Sequence, residues 1–244
     1  MDNIEKKSLR PKRLLYFIPV VLVGLVMGMY VFYRVFFANS PRTHKVLAFL
    51  RQPGDYQDWV LPALTRCENA PFLMPTTGMI GFLWGDSFRP GHQHQGVDIF
   101  SGTAVGDAPI YAAYDGYLSR PPDWKSTVII RIPSDPLQPD RQIWIYYTHM
   151  ADRDGNSLIV STFPPGSSEI FVPAGTLLGY QGNYSGNTNS PTGIHLHFSI
   201  VKDDGMGRYL NELEIENTID PSPYFGLPFN GHENKDQIPL CKSE

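Results

Sequence analysis

Cysteine is scarce in this chain: two residues in 244, too few for a disulfide-framed scaffold. Cys67 and Cys241 are not spaced as the thiolate pairs of a structural zinc site. Basic charge is also short. Beyond residue 37 there are 14 Lys and Arg against 22 Asp and Glu, and so acidic a body is a poor match for nucleic acid. Internal repeats and low-complexity segments are missing, which sets aside solenoids and disordered tracts. What is present is 42% hydrophobic residues with 18% charged ones, enough for a folded core. The length allows one sizeable domain with extensions, and 22 glycines and 22 prolines suit a β-rich chain with many turns.

Charge is absent altogether from Leu14 to Tyr33. At 1.5 Å per residue this run reaches about 30 Å, the thickness of a bilayer's hydrocarbon core. A cleaved signal peptide has a shorter apolar stretch, ~7–15 residues, ending in a small-x-small site. Here the run is longer and leads into Phe32, Tyr33, Arg34, Val35 and Phe36, a weak cleavage context. The sequence therefore predicts a transmembrane helix over 14–37, with the lipid bilayer as a partner. Lys6, Lys7, Arg10, Lys12 and Arg13 precede it, so residues 1–13 are expected as a cytoplasmic basic tail and all that follows outside the cytoplasm.

Past the anchor, residues 38–75 read as a juxtamembrane segment with two weak helical pieces, 44–51 and 57–66. From about Thr76 the texture changes to short β-type runs at 108–118, 126–132, 142–149, 169–182 and 193–201, broken by Gly, Pro and Asp. This pattern predicts a mainly β, antiparallel domain over 76–228. A polar tail, 229–244, closes the chain. Cys67 and Cys241 bracket the domain, and in an oxidising compartment a bridge between them would tie the tail to the domain entrance.

Five residues carry the chemistry: His94, Asp98, His149, His195 and His197. In the 193–200 stretch, alternation puts Ile194, Leu196, Phe198 and Ile200 on one strand face and His195, His197 and Ser199 on the other. The two imidazoles are then about 6–7 Å apart at Cα, near enough to share one site. His94 and Asp98 would be about 13 Å apart if fully extended, too far to hold one ion. A bend at Gly96 is therefore expected, with His94 on a loop and Asp98 at the start of a strand. Two imidazoles and one carboxylate make a three-ligand zinc site with an open position for water. The remaining histidines would serve as proton acceptor and oxyanion partner. His44, His92 and His232 are taken as bystanders, with His92 near enough to His94 to compete.

These residues resemble the lysostaphin-type, LytM-like zinc metalloendopeptidases, which are murein hydrolases. The resemblance runs from about Met79 to Phe225. It rests on His94-Gln-Gly-Val-Asp98, His195-Leu-His197 and a histidine after an aromatic strand, Tyr146-Tyr-Thr-His149. The segments 108–116 and 172–179 agree as well. The resemblance implies an antiparallel fold with an open groove. It also implies Zn2+ on His94, Asp98 and His197, catalysis by His149 and His195, and peptidoglycan peptides as substrate. The alternatives are a catalytically silent wall-binding scaffold or hydrolase activator, and a zinc peptidase acting on extracytoplasmic protein. Two loops depart from the family pattern, 181–193 and 152–169, and both are expected to border the groove.

Overall fold

The structure, a computed structural model, describes residues 19, 21–30, 41–87, 91–234 and 236–241. It divides into two units, 1–39 and 40–244. In the first, residues 21–30 are helical and exposed. Among the described residues no helix is long and apolar enough to cross a membrane. Residues 14–18, 20 and 31–37 of the expected span lie outside the described residues.

The second unit is built from eleven short strands: β1 (Val60–Leu61), β2 (Gly78–Ile80), β3 (Val97–Phe100), β4 (Pro109–Tyr111), β5 (Gly116–Ser119), β6 (Val128–Ile132), β7 (Ile143–Thr148), β8 (Ile170–Val172), β9 (Leu177–Tyr180), β10 (Leu196–Lys202) and β11 (Thr218–Ile219). Nine of them form one sheet in the order β1-β2-β3-β10-β7-β6-β5-β8, with β11 on β10; β4 and β9 pair separately. Every pairing between these strands is antiparallel.

Alternation decides which side chains go where. Val97 and Ile99 on β3, Leu196, Phe198 and Ile200 on β10, and Ile145 and Tyr147 on β7 point into one core. Ile110 and Leu178 of the small sheet close that core from the other side. The β7 strand is anchored further where the Ala113 N–H donates to the Tyr147 hydroxyl oxygen, 2.8 Å away and fully buried. Asp98, His197, Tyr146 and Thr148 face the opposite way. A polar face over a packed apolar one is what a groove floor requires.

Segments flanking 76–228 share the unit's core. The helix Pro41–Arg51 packs Val46 and Phe49 against Met79 and Phe100. Arg42, buried, donates to the Asn234 carbonyl at 2.6 Å and pairs with Asp86 at 3.2 Å. Phe72 and Met74 lie in the main core beside Phe229 from the tail. Of the two expected helical pieces, 44–51 falls in this helix. The other does not form an α-helix: a 3-10 turn, Pro53–Trp59, leads into β1, whose Val60 and Leu61 pair with Met79 and Gly78. The edge pairing satisfies backbone groups that an isolated short helix would leave open. Cys67 and Cys241 are joined by a disulfide with Cα atoms 5.3 Å apart.

Candidate metal centre

The register of three strands builds the site. His197 on β10 lies directly opposite Asp98 on β3 and, on its other side, opposite Thr148 on β7. A slip of one residue would send Asp98 into the core. The chain bends at Gly96 as expected, without a left-handed backbone, and the same glycine holds this register. A β-carbon there would stand 2.2 Å from the Phe198 carbonyl oxygen. Glycine is required because β3 and β10 approach closely just before the ligand pair.

His94 comes from the loop ahead of β3, its backbone N–H donating to the Asp86 carbonyl at 2.8 Å. Its Nδ1 lies 3.0 Å from the Leu83 carbonyl oxygen, which can only accept. A neutral His94 therefore carries its proton on Nδ1 and turns the Nε2 lone pair inward, where a metal would take it. That Nε2 is 3.0 Å from Asp98 Oδ1 and 3.0 Å from His197 Nδ1, while His197 Nδ1 is 2.8 Å from the same Oδ1. His94, Asp98 and His197 are the group able to hold a metal ion among the described residues; His92 does not join it. Tetrahedral zinc with arms of about 2.0–2.1 Å needs ligand atoms about 3.3 Å apart, so the three need open by only a few tenths of an ångström. The donor set, nitrogen, nitrogen and carboxylate oxygen, is chemically suited to zinc.

His149 and His195 sit beside this triad with ring centres 4.5 Å apart. His195 immediately precedes β10, stacks on Phe100, and brings Nε2 to 3.6 Å from Asp98 Oδ1. His149 immediately follows β7 with φ of 70°, a left-handed conformation unusual for histidine. Both donate from Nδ1 to a carbonyl of the same loop: His149 to Tyr184 and His195 to Gly193, each 2.7 Å. Both Nε2 atoms are thereby fixed as acceptors in the neutral rings. Gly182 lets that loop lie against the His149 turn, since a β-carbon there would meet the Ala151 carbonyl oxygen at 2.0 Å.

Electrostatics sort the histidines. Burial, followed by the neighbouring His195 and His197, pushes His149 down to about 3. Burial also lowers His195. Burial alone would depress His197 too, but hydrogen bonds to Asp98 and Glu212 prevail and raise it to about 10. For Asp98 burial works upward, yet the charges of His94 and His195 and bonds from His197 and His94 hold its carboxyl well below the ordinary range.

The cleft over these residues has a volume of about 430 Å³. Apart from the histidines its walls are mostly hydroxyl-bearing, including Ser126, Thr127, Thr148, Tyr146 and Thr192. Loop 181–193 borders it through Tyr184, Ser185 and Gly186. Loop 152–169 does not, contrary to expectation. Ile159 bridges to Gly179, and Phe163 is buried in the core with its carbonyl bound by Arg120. Its apolar residues draw it onto the small sheet instead. One residue that spacing did not single out is Glu212, whose carboxylate accepts from His197 Nε2 at 2.9 Å.

No protein-family model and no curated protein matches the sequence. Solved structures similar to the chain include the catalytic domain of the antimicrobial peptidase lysostaphin from Staphylococcus simulans, at 19% identity and a TM-score of 0.40, covering 60% of this chain and 90% of that one. The catalytic domain of a prophage-encoded M23 protein, EnpA, from Enterococcus faecalis, in a point-mutant form, aligns at 20% identity with a TM-score of 0.36, over 61% of this chain and 95% of that one. A putative peptidase M23 from Pseudomonas aeruginosa gives 20% identity and a TM-score of 0.35, over 76% of this chain and 61% of that one. At such distances the functional reading rests on the side chains themselves.

Proposed function

We propose that this chain is a lysostaphin-type zinc endopeptidase that hydrolyses peptide bonds of peptidoglycan. The observation that carries the reading is the convergence of His94 Nε2, Asp98 Oδ1 and His197 Nδ1 within 4.8 Å of one another, at the base of an open cleft with two further histidines. Zinc bound there would polarise the scissile carbonyl and bring the pKa of a bound water down to about 7.

The chain's own residues would do the rest. His195, held by the Gly193 carbonyl, keeps Nε2 as a lone pair on the side of Asp98, placed to accept a proton during attack. His149, held by the Tyr184 carbonyl, has no proton on Nε2 while neutral. It would donate to a developing oxyanion only as the imidazolium, which burial disfavours; as the neutral ring it offers a second proton acceptor beside His195. The hydroxyl-lined walls offer donors and acceptors to a peptide backbone without demanding a charged side chain.

The apolar run 14–33 would tether the enzyme to the bilayer with residues 40–244 outside the cytoplasm, bringing it to the wall. Exposed apolar side chains at Val21, Val23, Met27 and Met29 accord with that role. The test is release of peptide fragments from purified peptidoglycan. Activity abolished by a chelator and restored by zinc supports the proposal; no release from peptidoglycan with zinc present overturns it.

A further inference from the structure

Between β10 and β11 the chain makes an excursion, 203–217, that belongs to neither motif. It lies against both halves of the ligand set. Gln95, next to His94, donates from Nε2 to the Leu213 carbonyl at 2.8 Å. Glu212 reaches back to β10, where a single carboxylate oxygen, Oε1, accepts from His197 Nε2 at 2.9 Å and from the Ser199 hydroxyl at 3.0 Å. His197 and Ser199 point the same way because they are two apart on one strand. The Glu212 side chain is only 10% exposed, so little water competes for it. Asn217 donates to the Asn211 carbonyl at 3.0 Å and holds the turn that carries Glu212.

We propose that Glu212 is a positioning residue of the metal centre, acting through His197. This rests on the zinc reading of the site. Glu212 sits at the opposite edge of the imidazole from Nδ1, so it is not a ligand. By accepting from Nε2 it keeps a proton there, so Nδ1, which faces Asp98 Oδ1 and His94 Nε2, is the nitrogen that would give up its proton to a metal. It also fixes the ring plane, and its negative charge makes the imidazole a better donor to a cation. With Asp98 it supplies two negative charges against the two positive charges of the ion. His94 has the neutral counterpart in the Leu83 carbonyl. Ser199 steadies the carboxylate.

The experiment is a zinc dissociation constant, measured by competition with a chromogenic chelator at fixed pH on the full chain, alongside thermal unfolding. Outer partners of ligating histidines typically contribute 10–100-fold in metal affinity, so Glu212→Ala is expected to weaken zinc by about that factor. Glu212→Gln keeps an oxygen able to accept from Nε2 but loses the charge, and is expected to recover most of the loss, to about 3–10-fold. A residue that only fills space would give Glu212→Gln, which has the same shape, wild-type zinc affinity. Folded Glu212→Ala with wild-type zinc affinity overturns the inference while leaving the metal site standing. If Glu212→Ala does not fold, unchanged affinity in Glu212→Gln overturns it equally. Wild-type protein that takes up no zinc overturns the underlying reading and this inference together.

Discussion

Replacing Gly96 with alanine tests how the site is held together. The new β-carbon would lie 2.2 Å from the Phe198 carbonyl oxygen, 2.9 Å from its carbon and 2.9 Å from Ser199 Cβ. Carbon and oxygen in close contact settle at about 3.3–3.6 Å, so β3 and β10 must part by roughly 1 Å. The obstacle is backbone in the interior of a nine-stranded sheet, with no flexible side chain to swing aside. Overpacking a core that can adjust costs about 1–3 kcal/mol, and a rigid neighbour puts this substitution at the top of that range or above. For a folded unit of this size about 3 kcal/mol lowers Tm by roughly 6–12 °C. The damage is directional as well. Asp98 lies two residues beyond Gly96 and is the register partner of His197, so metal affinity should fall along with stability. Gly54→Ala is the control, since nothing lies within 4 Å of its β-carbon position. The assay is thermal unfolding followed by near-ultraviolet circular dichroism, paired with zinc titration. Gly96→Ala with the Tm and zinc affinity of Gly54→Ala would refute the reasoning.

Reduction of the Cys67–Cys241 bridge, which spans 174 residues of sequence, should destabilise the unit by up to about 5 kcal/mol on the chain-entropy scale; equal urea midpoints with and without reductant would contradict this. In metal-free protein the raised pKa of His197, about 10, contributes stability that is full below about pH 6.5 and lost as pH rises through 10. Zinc uptake at pH 7.5 must then expel about one proton from His197, read as a buffer-dependent calorimetric heat; a heat independent of buffer ionisation enthalpy would count against it. His195→Ala and His149→Ala should each keep zinc while turnover falls by about 10²–10⁴-fold, and loss of zinc from either would make that residue a ligand.

Period-two patterning made one strand face legible: Leu196, Phe198 and Ile200 could only be the buried side of β10 once His195, His197 and Ser199 were read as the other. The antiparallel β character followed from run lengths and turn residues in the same way. Register was not legible. Nothing in either motif states that His197 lies opposite Asp98, because pairing between strands separated by about a hundred residues is settled by packing. The same holds for the close approach of Gly96 to Phe198, which adds to the bend expected at that glycine. Loop 152–169 misled because its length suggested a groove border, whereas Ile159 and Phe163 gain more by burial. The carbonyls of Tyr184 and Gly193 that fix the tautomers of His149 and His195 are backbone groups and leave no trace in residue identity. Glu212 reaches His197 through an irregular excursion after β10, so neither alternation nor helical spacing points to it.

The central claim is that His94, Asp98 and His197 hold one catalytic zinc. Its most direct test is zinc stoichiometry and peptide release from peptidoglycan, measured on the same preparation for wild type and for His94→Ala, Asp98→Ala and His197→Ala. About one zinc per wild-type chain with active release is expected, and loss of both together in each variant. Peptide release that survives in any variant without bound zinc would contradict it.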